Sequence, residues 1–292
     1  MTNVVSKVVV VGSLHYDIMM DAPDRPRKGE TVTGRSWQPK CGGKGGNQAV
    51  AAVQGGATTR MIGAVGHDHF GEALLMNLDQ AGVDRSGVAI LDGAVSGMSV
   101  AIFDDDGDYG AVIVSGSNLA IAAEQCGDTQ LQGIDVLVLQ NEISEVINHI
   151  AASAARRQGV TTILNAAPAR VFVTDLPVLV DILVVNAIEA EMLGGGSVQS
   201  AADALRAAHT LTARFAAVLV TAGRDGVAYA DRLGREYVVP SVPVVVASTH
   251  GAGDMFVGTL AAQLARGSTM LAGIEAANSA AGKLVSTPEN KR

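Results

Sequence analysis

The chain has 292 residues, is 48% hydrophobic and carries a formal net charge of −8. That is enough apolar material for one large core, and an acidic balance excludes the electrostatic footprint of a nucleic-acid binder, so any anion site must be local. Cys41 and Cys126 form neither a disulfide framework nor a metal pair and read as reduced thiols of a cytoplasmic protein, while the apolar run 8–11 is too short for a signal or membrane-spanning segment.

Residues 7–12 (Lys-Val-Val-Val-Val-Gly) predict a buried first strand, β-branched throughout and ended by glycine. Ser13 to Asp17 follow at its C-terminal edge, where open α/β sheets place ligands. His15 alone reads as structural, and Asp17 either bonds a ligand hydroxyl or caps a turn. No GxGxxG pattern follows the strand, so a dinucleotide fingerprint is not supported. Residues 21–30 read as a loop and 31–38 as a strand. The run Gly42-Gly43-Lys44-Gly45-Gly46-Asn47 then enters an alanine-rich helix over 48–53. Its glycines bring backbone close to a partner, and Lys44 adds a donor.

Residues 60–65 predict a strand, and 70–80 an amphipathic helix stopped near Gly82. His67 and His69, in a glycine-flanked loop, read as surface residues rather than metal ligands. Residues 99–103 and 111–115 predict a hairpin around an aspartate-rich turn that lacks the glycine position and closing glutamate of a calcium loop. With pieces near 19–21 and 31–38 this hairpin builds a small sheet standing off the main domain, in the role of a lid.

From residue 134 the pattern alternates. Strands over 136–139, 162–164, 182–185 and 217–220 are separated by helices over 144–158, 188–193 and 201–212, which means a parallel sheet with right-handed crossovers. Polar residues cluster just past the strand ends: Asn141 and Glu142, Asn165, Asn186 and Glu189, Thr221 and Gly223. Glu142 is acceptor-only and suits sugar hydroxyls. Asn186 and Glu189 share a face at a helix start. They either form a capping pair or place a carboxylate that suits phosphate with magnesium between. Residues 221–226 turn into a hairpin of 227–230 with 236–239.

The stretch 248–258 reads Ser-Thr-His-Gly-Ala-Gly-Asp-Met-Phe-Val-Gly. Gly251, Ala252 and Gly253 allow close backbone approach, and a helix is expected just after them, with Phe256, Leu260 and Leu264 at four-residue spacing and a stop at Gly267. Such a helix start offers unpaired N–H donors and a positive dipole end to an anion. Asp254 beside it is either a base acting on the group that attacks a phosphate or a helix cap. A last helix over 271–285 carries Asn278, and 286–292 is a polar tail. No internal repeat or linker divides the chain, so residues 1–292 read as one domain.

Three motifs in this order, Gly42 to Ala49, Asn186-Ala187-Ile188-Glu189 and Thr249 to Phe256, resemble the ribokinase/PfkB carbohydrate kinase family. The resemblance covers nearly the whole chain. It implies a three-layer, doubly wound, mostly parallel α/β sheet with a small β-sheet lid built from segments near 17–40 and 97–116. It implies ATP-dependent phosphorylation of a hydroxymethyl group, ribose or a related pentose first, with Asp254 as base and Gly251, Ala252 and Gly253 as the anion hole. Sugar contacts fall to His15, Asp17, Gly43, Lys44, Asn47 and Glu142. Nucleotide contacts fall to Asn186, Thr221, Gly223, Gly226 and Asn278, and Glu189 organises Mg2+ through water. The expected partners are a sugar and ATP, with no nucleic acid and no membrane, and the lid edge offers a homodimer contact. A nucleoside kinase or another PfkB-type sugar kinase is the alternative. A non-catalytic regulatory relative is a third reading, against which Asp254, the glycine turn and Glu189 speak.

Three positions depart from the family pattern. His15 stands where the family usually has Asn. Ser248 and His250 replace the usual Asp and Thr, and the chain ends at Arg292 without the glycine-containing loop of a monovalent-cation site. Weak or absent potassium activation is therefore expected.

Overall fold

The computed structural model describes residues 6–105 and 109–288. The first half comprises β1 (Lys7–Val11), β2 (His15–Asp21), β3 (Ser36–Gly42), α1 (Lys44–Gln54), β4 (Thr58–Gly66), α2 (His69–Gln80), β5 (Asp84–Leu91), β6 (Gly97–Phe103), β7 (Tyr109–Val114) and the short α3 (Asp128–Leu131). The second half runs β8 (Val136–Gln140), α4 (Glu145–Gln158), β9 (Thr161–Asn165), α5 (Leu176–Leu179), β10 (Ile182–Asn186), α6 (Ala187–Met192), α7 (Ala201–Leu211), β11 (Ala217–Thr221), β12 (Val227–Asp231), β13 (Glu236–Val239), α8 (Ala252–Ala265) and α9 (Met270–Val285).

Nine strands form the main sheet in the order β13-β12-β11-β10-β9-β8-β1-β4-β5. All neighbours from β11 to β5 are parallel, and β12 and β13 close the far edge antiparallel. The strand β1 shows why. Val8 and Val10 belong to one buried cluster with residues of α1, α2, α8 and α9, while Val9 and Val11 belong to the other with residues of α4 and α7. A strand buried on both faces needs apolar residues without alternation, and a parallel sheet covered by helices on both sides is the fold that uses them. The expected three-layer, mostly parallel α/β architecture is the one observed.

A second sheet of four strands, β3-β2-β6-β7, stands apart from the first. Here β2 pairs antiparallel with β3, from His15 opposite Gly42 to Asp21 opposite Ser36, and parallel with β6. His15 to Asp17 are therefore the start of a strand, and the three residues Gly12 to Leu14 carry the chain from β1 of the main sheet to β2 of the small one. The strand expected over 31–38 lies instead at Ser36–Gly42. Pro39 obscures it in the sequence, yet β3 is an edge strand, where a missing N–H is tolerated.

One other boundary moves, and one strand goes beyond those expected. The helix α1 begins at Lys44, not at residue 48, so Gly45 and Gly46 are helical and only Gly43 of that run has a positive φ, +84°. The parallel strand β5 carries no clear apolar signal, because it opens Asp-Arg-Ser-Gly and is largely half-exposed at the sheet edge. His67 and His69 pair with Asp92 and Glu72, and Asp68 caps α2 by accepting from the Gly71 N–H. In the aspartate-rich turn, Asp104 meets Arg25 and Asp105 meets Arg35, while Asp106, Gly107 and Asp108 lie outside the described residues. Cys41 and Cys126 are free. No helix among the described residues is long and apolar enough to cross a membrane.

Candidate active site

Two helices meet at the site. Gly258 of α8 faces Ala51 and the Gln48 carbonyl of α1, where any β-carbon would lie 2.4 Å from that oxygen. The missing side chain lets the two helices approach. Their first turns consequently converge over the C-terminal edge of the sheet, and α1 contributes Lys44, Asn47 and Gln48 on one face.

Asp254 sits in the first turn of α8 and is 9% exposed. It does not cap its helix. The N-cap is Gly251, with φ +77° and no side-chain bond, and the Asp254 carboxylate accepts instead from Asn47 Nδ2 at 3.0 Å and Gln48 Nε2 at 2.9 Å. Burial pushes this carboxyl up from its ordinary value, the Lys44 charge and the two amide donors oppose that, and the Glu142 charge adds to it. A carboxyl raised in this way holds a proton more readily than an exposed aspartate does.

The helix α8 starts beside it, directly after Gly251. First-turn N–H groups lack an intrahelical acceptor. Ala252 N bonds back to the Thr249 carbonyl at 3.3 Å, so Gly253 and Asp254 carry the donors directed outward. A β-carbon at Gly253 would meet no protein atom within 4 Å. Packing does not require glycine there, and the missing side chain leaves the helix start open.

Three cavities join at these residues. One of about 360 Å³ is lined by Asn47, His250, Gly251 and Asp254 together with Lys40 and Cys41 of β3. A second of about 180 Å³ shares Gly251 and Asp254 and adds Lys44, Asn165, Asn186, Glu189, Thr221 and Gly253. A third of about 370 Å³ shares Thr221 and Gly253 and contains Gly223, Gly226 and Asn278. In that last cavity Gly226 has φ +90°, and Asn278 Nδ2 donates to the Pro240 carbonyl at 2.7 Å. Asn186 and Glu189 form the reciprocal capping box of α6, and Glu189 is pushed up by burial despite the Asn186 N–H and the Lys44 charge, with the Asp254 charge adding to the rise.

The other polar cluster ties the tip of β1 to α1 and to the loop after β8. Glu142 Oε2 accepts from the Ser13 hydroxyl at 2.5 Å and the Lys44 N–H at 2.9 Å, and lies 3.7 Å from His15 Nδ1. Lys44 Nζ is 3.9 Å from Glu142 Oε1. His15 is 4% exposed and its Nε2 has no partner. Asp17 accepts from the Ser99 hydroxyl and packs over Gly42; burial pushes it up, against that hydrogen bond and the nearby His15 and His250. Gly43 passes so close to Leu14 that a β-carbon would lie 2.7 Å from the His15 nitrogen.

The sequence-derived site residues thus fall into three groups: His15, Asp17, Gly43, Lys44 and Glu142 around the β1 tip; Asn47 and Asp254 at the meeting of α1 and α8; and Thr221, Gly223, Gly226 and Asn278 in the far cavity, with Asn186 and Glu189 between. Sequence reasoning places Ser13 at the ligand edge of the sheet without giving it a role, and misses Ser99 and Gln48. Gln48 carries one usable signal, its place four residues after Lys44 and next to Asn47.

Comparison with known proteins gives a consistent result. Residues 5–290 match the pfkB family of carbohydrate kinases. A ribokinase of Bacillus subtilis is 34% identical over 276 residues, covering 94% of this chain and 91% of that protein. One from Mus musculus is 35% identical over 268 residues, covering 88% and 81%. The structure of Arabidopsis thaliana ribokinase complexed with ribose and ATP superposes with a TM-score of 0.90 at 27% identity, over 97% of this chain and 93% of that one.

Proposed function

The chain belongs to the pfkB family of carbohydrate kinases, and from that premise we propose that it transfers the terminal phosphoryl group of ATP to the hydroxymethyl oxygen of ribose. The carrying observation is that Asp254 and Gly251 line two cavities at once. An alcohol entering from the α1 side meets the Asp254 carboxylate, and a phosphoryl group entering from the Thr221 side meets the N-terminus of α8. Phosphoryl transfer asks little covalent chemistry of the protein and much positioning and charge stabilisation. Asp254 accepts the hydroxyl proton as the oxygen attacks, and the Gly253 and Asp254 N–H groups with Lys44 stabilise the equatorial phosphoryl oxygens. Glu142, His15 and Asp17 hold the remaining hydroxyls, and the cavity lined by Thr221, Gly223, Gly226 and Asn278 takes the nucleoside.

Magnesium fits the residues present. Glu189 is a half-buried carboxylate whose charge burial penalises, so a cation beside it relieves a cost. Magnesium keeps several waters and takes one or two carboxylates plus phosphate oxygens. Glu189 would hold the ion through water, with Asn186 fixing its orientation, and the ion would neutralise phosphate charge. The four-stranded sheet serves as the lid that closes over the sugar. Its strand β7 exposes both faces, with Val112 and Ile113 open to solvent, and Trp37 on β3 is exposed too. These apolar residues support a homodimer through the lid, which Ile113→Asp should dissociate in light scattering; a monomeric parent would end that part of the reading. Two free thiols fit a cytoplasmic enzyme.

A coupled ADP-release assay over ribose, other pentoses, ketohexoses and nucleosides tests the function. Ribose is expected to turn over best. Absence of acceptor-dependent ADP release across the panel would sink the reading, and a preferred nucleoside would replace the substrate.

A further inference from the structure

Behind Asp254 lies a file of buried amides that the phosphoryl-transfer reading does not use. Gln48 and Gln140 are 0% exposed and Asn165 is 7% exposed. Gln48 Nε2 donates both hydrogens, one to Asp254 Oδ1 at 2.9 Å and one to Asn165 Oδ1 at 3.0 Å. Gln48 Oε1 accepts from Gln140 Nε2 at 2.8 Å. Asn165 Nδ2 in turn donates to the Val184 carbonyl of β10 at 3.2 Å, and the Gln140 carbonyl receives Asn148 Nδ2 of α4 at 2.7 Å.

The polarity of this file is set by its two ends. A backbone carbonyl can only accept, so Asn165 must turn its amino group to Val184 and its oxygen to Gln48. A carboxylate can only accept, so Gln48 must turn its amino group to Asp254. Both ends demand the same orientation of Gln48, and Gln140 then has to donate to Oε1. Flipping Gln48 or Asn165 would set donor against donor, and flipping Gln140 would set acceptor against acceptor, at side chains that are almost fully buried. The room for the file is built in, since a β-carbon at Gly12 would fall 1.9 Å from Gln140 Oε1.

We infer that Gln48 is a positioning residue for the reaction: backed by Asn165 and Gln140, it holds Oδ1 of Asp254 to strands β8, β9 and β10, so that Oδ2 is left to meet the acceptor hydroxyl. Asn47 donates to Oδ2 from the cavity side and can exchange that bond for substrate, whereas Gln48 is sealed in the interior. The rotation of the carboxylate is therefore referenced to the sheet rather than to the two helices alone. Displacement of a catalytic group by about 1 Å can cost roughly 100-fold in rate, so the anchoring acts on turnover rather than on substrate affinity. The inference rests on the reading of Asp254 as the base.

The test uses the full chain and steady-state kinetics with ribose and ATP. Gln48→Met keeps the length and removes the amide. Its kcat is expected to fall about 100-fold, with KM for both substrates close to the parent. Gln140→Met, which touches no atom of Asp254, should lower kcat less, and the double variant should be no slower than Gln48→Met alone, because the second change acts only through the first. An unchanged kcat in Gln48→Met, equal losses in kcat and both KM values, or additive effects in the double variant overturn the inference. If Gln48→Met does not fold, Gln140→Met decides alone, by a lowered kcat at parental KM or by none. Asp254→Asn is run beside them. An inactive parent, or an Asp254→Asn as fast as the parent, removes the base itself, whereas an active parent with a dead Asp254→Asn and a normal Gln48→Met removes only the role of Gln48.

Discussion

The Lys44 N–H donates to Glu142 Oε2 at 2.9 Å across 98 residues of chain. This bond joins the first residue of α1 to the loop after β8. The same oxygen accepts the Ser13 hydroxyl, so one carboxylate fixes the β1 tip, the start of α1 and the loop that carries it. Hydrogen bonds to a charged acceptor contribute about 1.5–3 kcal/mol each. Glu142→Gln keeps the shape and can still accept both bonds on its amide oxygen, but it loses the charge and turns its amino group toward the Lys44 ammonium that now lies 3.9 Å from Oε1. Its KM for ribose should rise about 10- to 100-fold, with KM for ATP nearly unchanged. Equal shifts in both constants would mean that the loop serves the whole fold and not the sugar.

Asp254 gives a pH prediction with a definite sign. Its carboxyl is raised above the ordinary value, chiefly by burial, and is inactive as a base once protonated. Activity should therefore fall as pH is lowered through that raised value, with an acid limb of kcat/KM lying above the range of an exposed aspartate. Lys44 lowers it, so Lys44→Met should move the limb to higher pH. A limb that stays in place in Lys44→Met would detach it from Asp254. Asp254→Asn itself should lose about 100- to 10,000-fold in kcat.

Much of this arrangement is legible in the sequence, for physical reasons. The strands β8 to β11 are apolar without alternation and are spaced by helical segments, a pattern only a covered parallel sheet satisfies. Glu142, Asn186 and Thr221 are visible because they follow such strands at their C-terminal ends. The strand β3 is hidden by Pro39, and β5 by its polar opening. Gln48 is hidden for a different reason. Its partners Gln140, Asn165 and Asp254 lie 92, 117 and 206 residues away, and no spacing rule links them. Asp254 likewise reads as a cap or a base in the sequence; the amides of Asn47 and Gln48, which face it from another helix, remove the cap reading.

Gly45 sets two effects against each other. Alanine is favoured over glycine inside a helix by about 1 kcal/mol, so Gly45→Ala on α1 would stabilise an isolated helix. In the protein its β-carbon would lie 2.6 Å from the Ser13 nitrogen and 2.7 Å from the Gly12 carbonyl carbon, both backbone atoms of the β1 tip. Backbone cannot yield as a side-chain end can, so the clash wins. Gly45→Ala should lower both the melting temperature and ribose affinity. A stabilised variant with normal kinetics would show that α1 sits farther from the β1 tip.

Ser248 bears on potassium. Its hydroxyl is neutral and accepts from the His250 N–H at 3.3 Å, and the Val285 carbonyl already receives the N–H groups of Ala247 and Ser248 at 2.7 and 3.2 Å. A monovalent cation there finds no carboxylate at residue 248. Velocity should be flat in potassium, in sodium or in neither, and a large potassium requirement would refute this.

Asp231 offers a stability test away from the site. It is 5% exposed and accepts from the Tyr229 hydroxyl at 2.8 Å, the Leu233 and Arg235 N–H groups at 2.9 and 3.0 Å and Arg235 Nε at 2.6 Å. Burial alone pushes its carboxyl up, but these donors together hold it below its ordinary value. A carboxyl depressed in the folded state contributes stability that is complete above the unfolded value and is lost as pH falls through the folded one. Asp231→Asn should therefore cost about 1–3 kcal/mol at neutral pH, because its amide cannot accept from every donor that now converges on the carboxylate. The gap between parent and variant, read from urea midpoints at constant slope, should stay level from pH 8 to about pH 5 and narrow below about pH 4, near the unfolded carboxyl value. A gap that is the same at every pH would assign the loss to shape rather than to charge, and a gap that widens in acid would reverse the sign of the linkage.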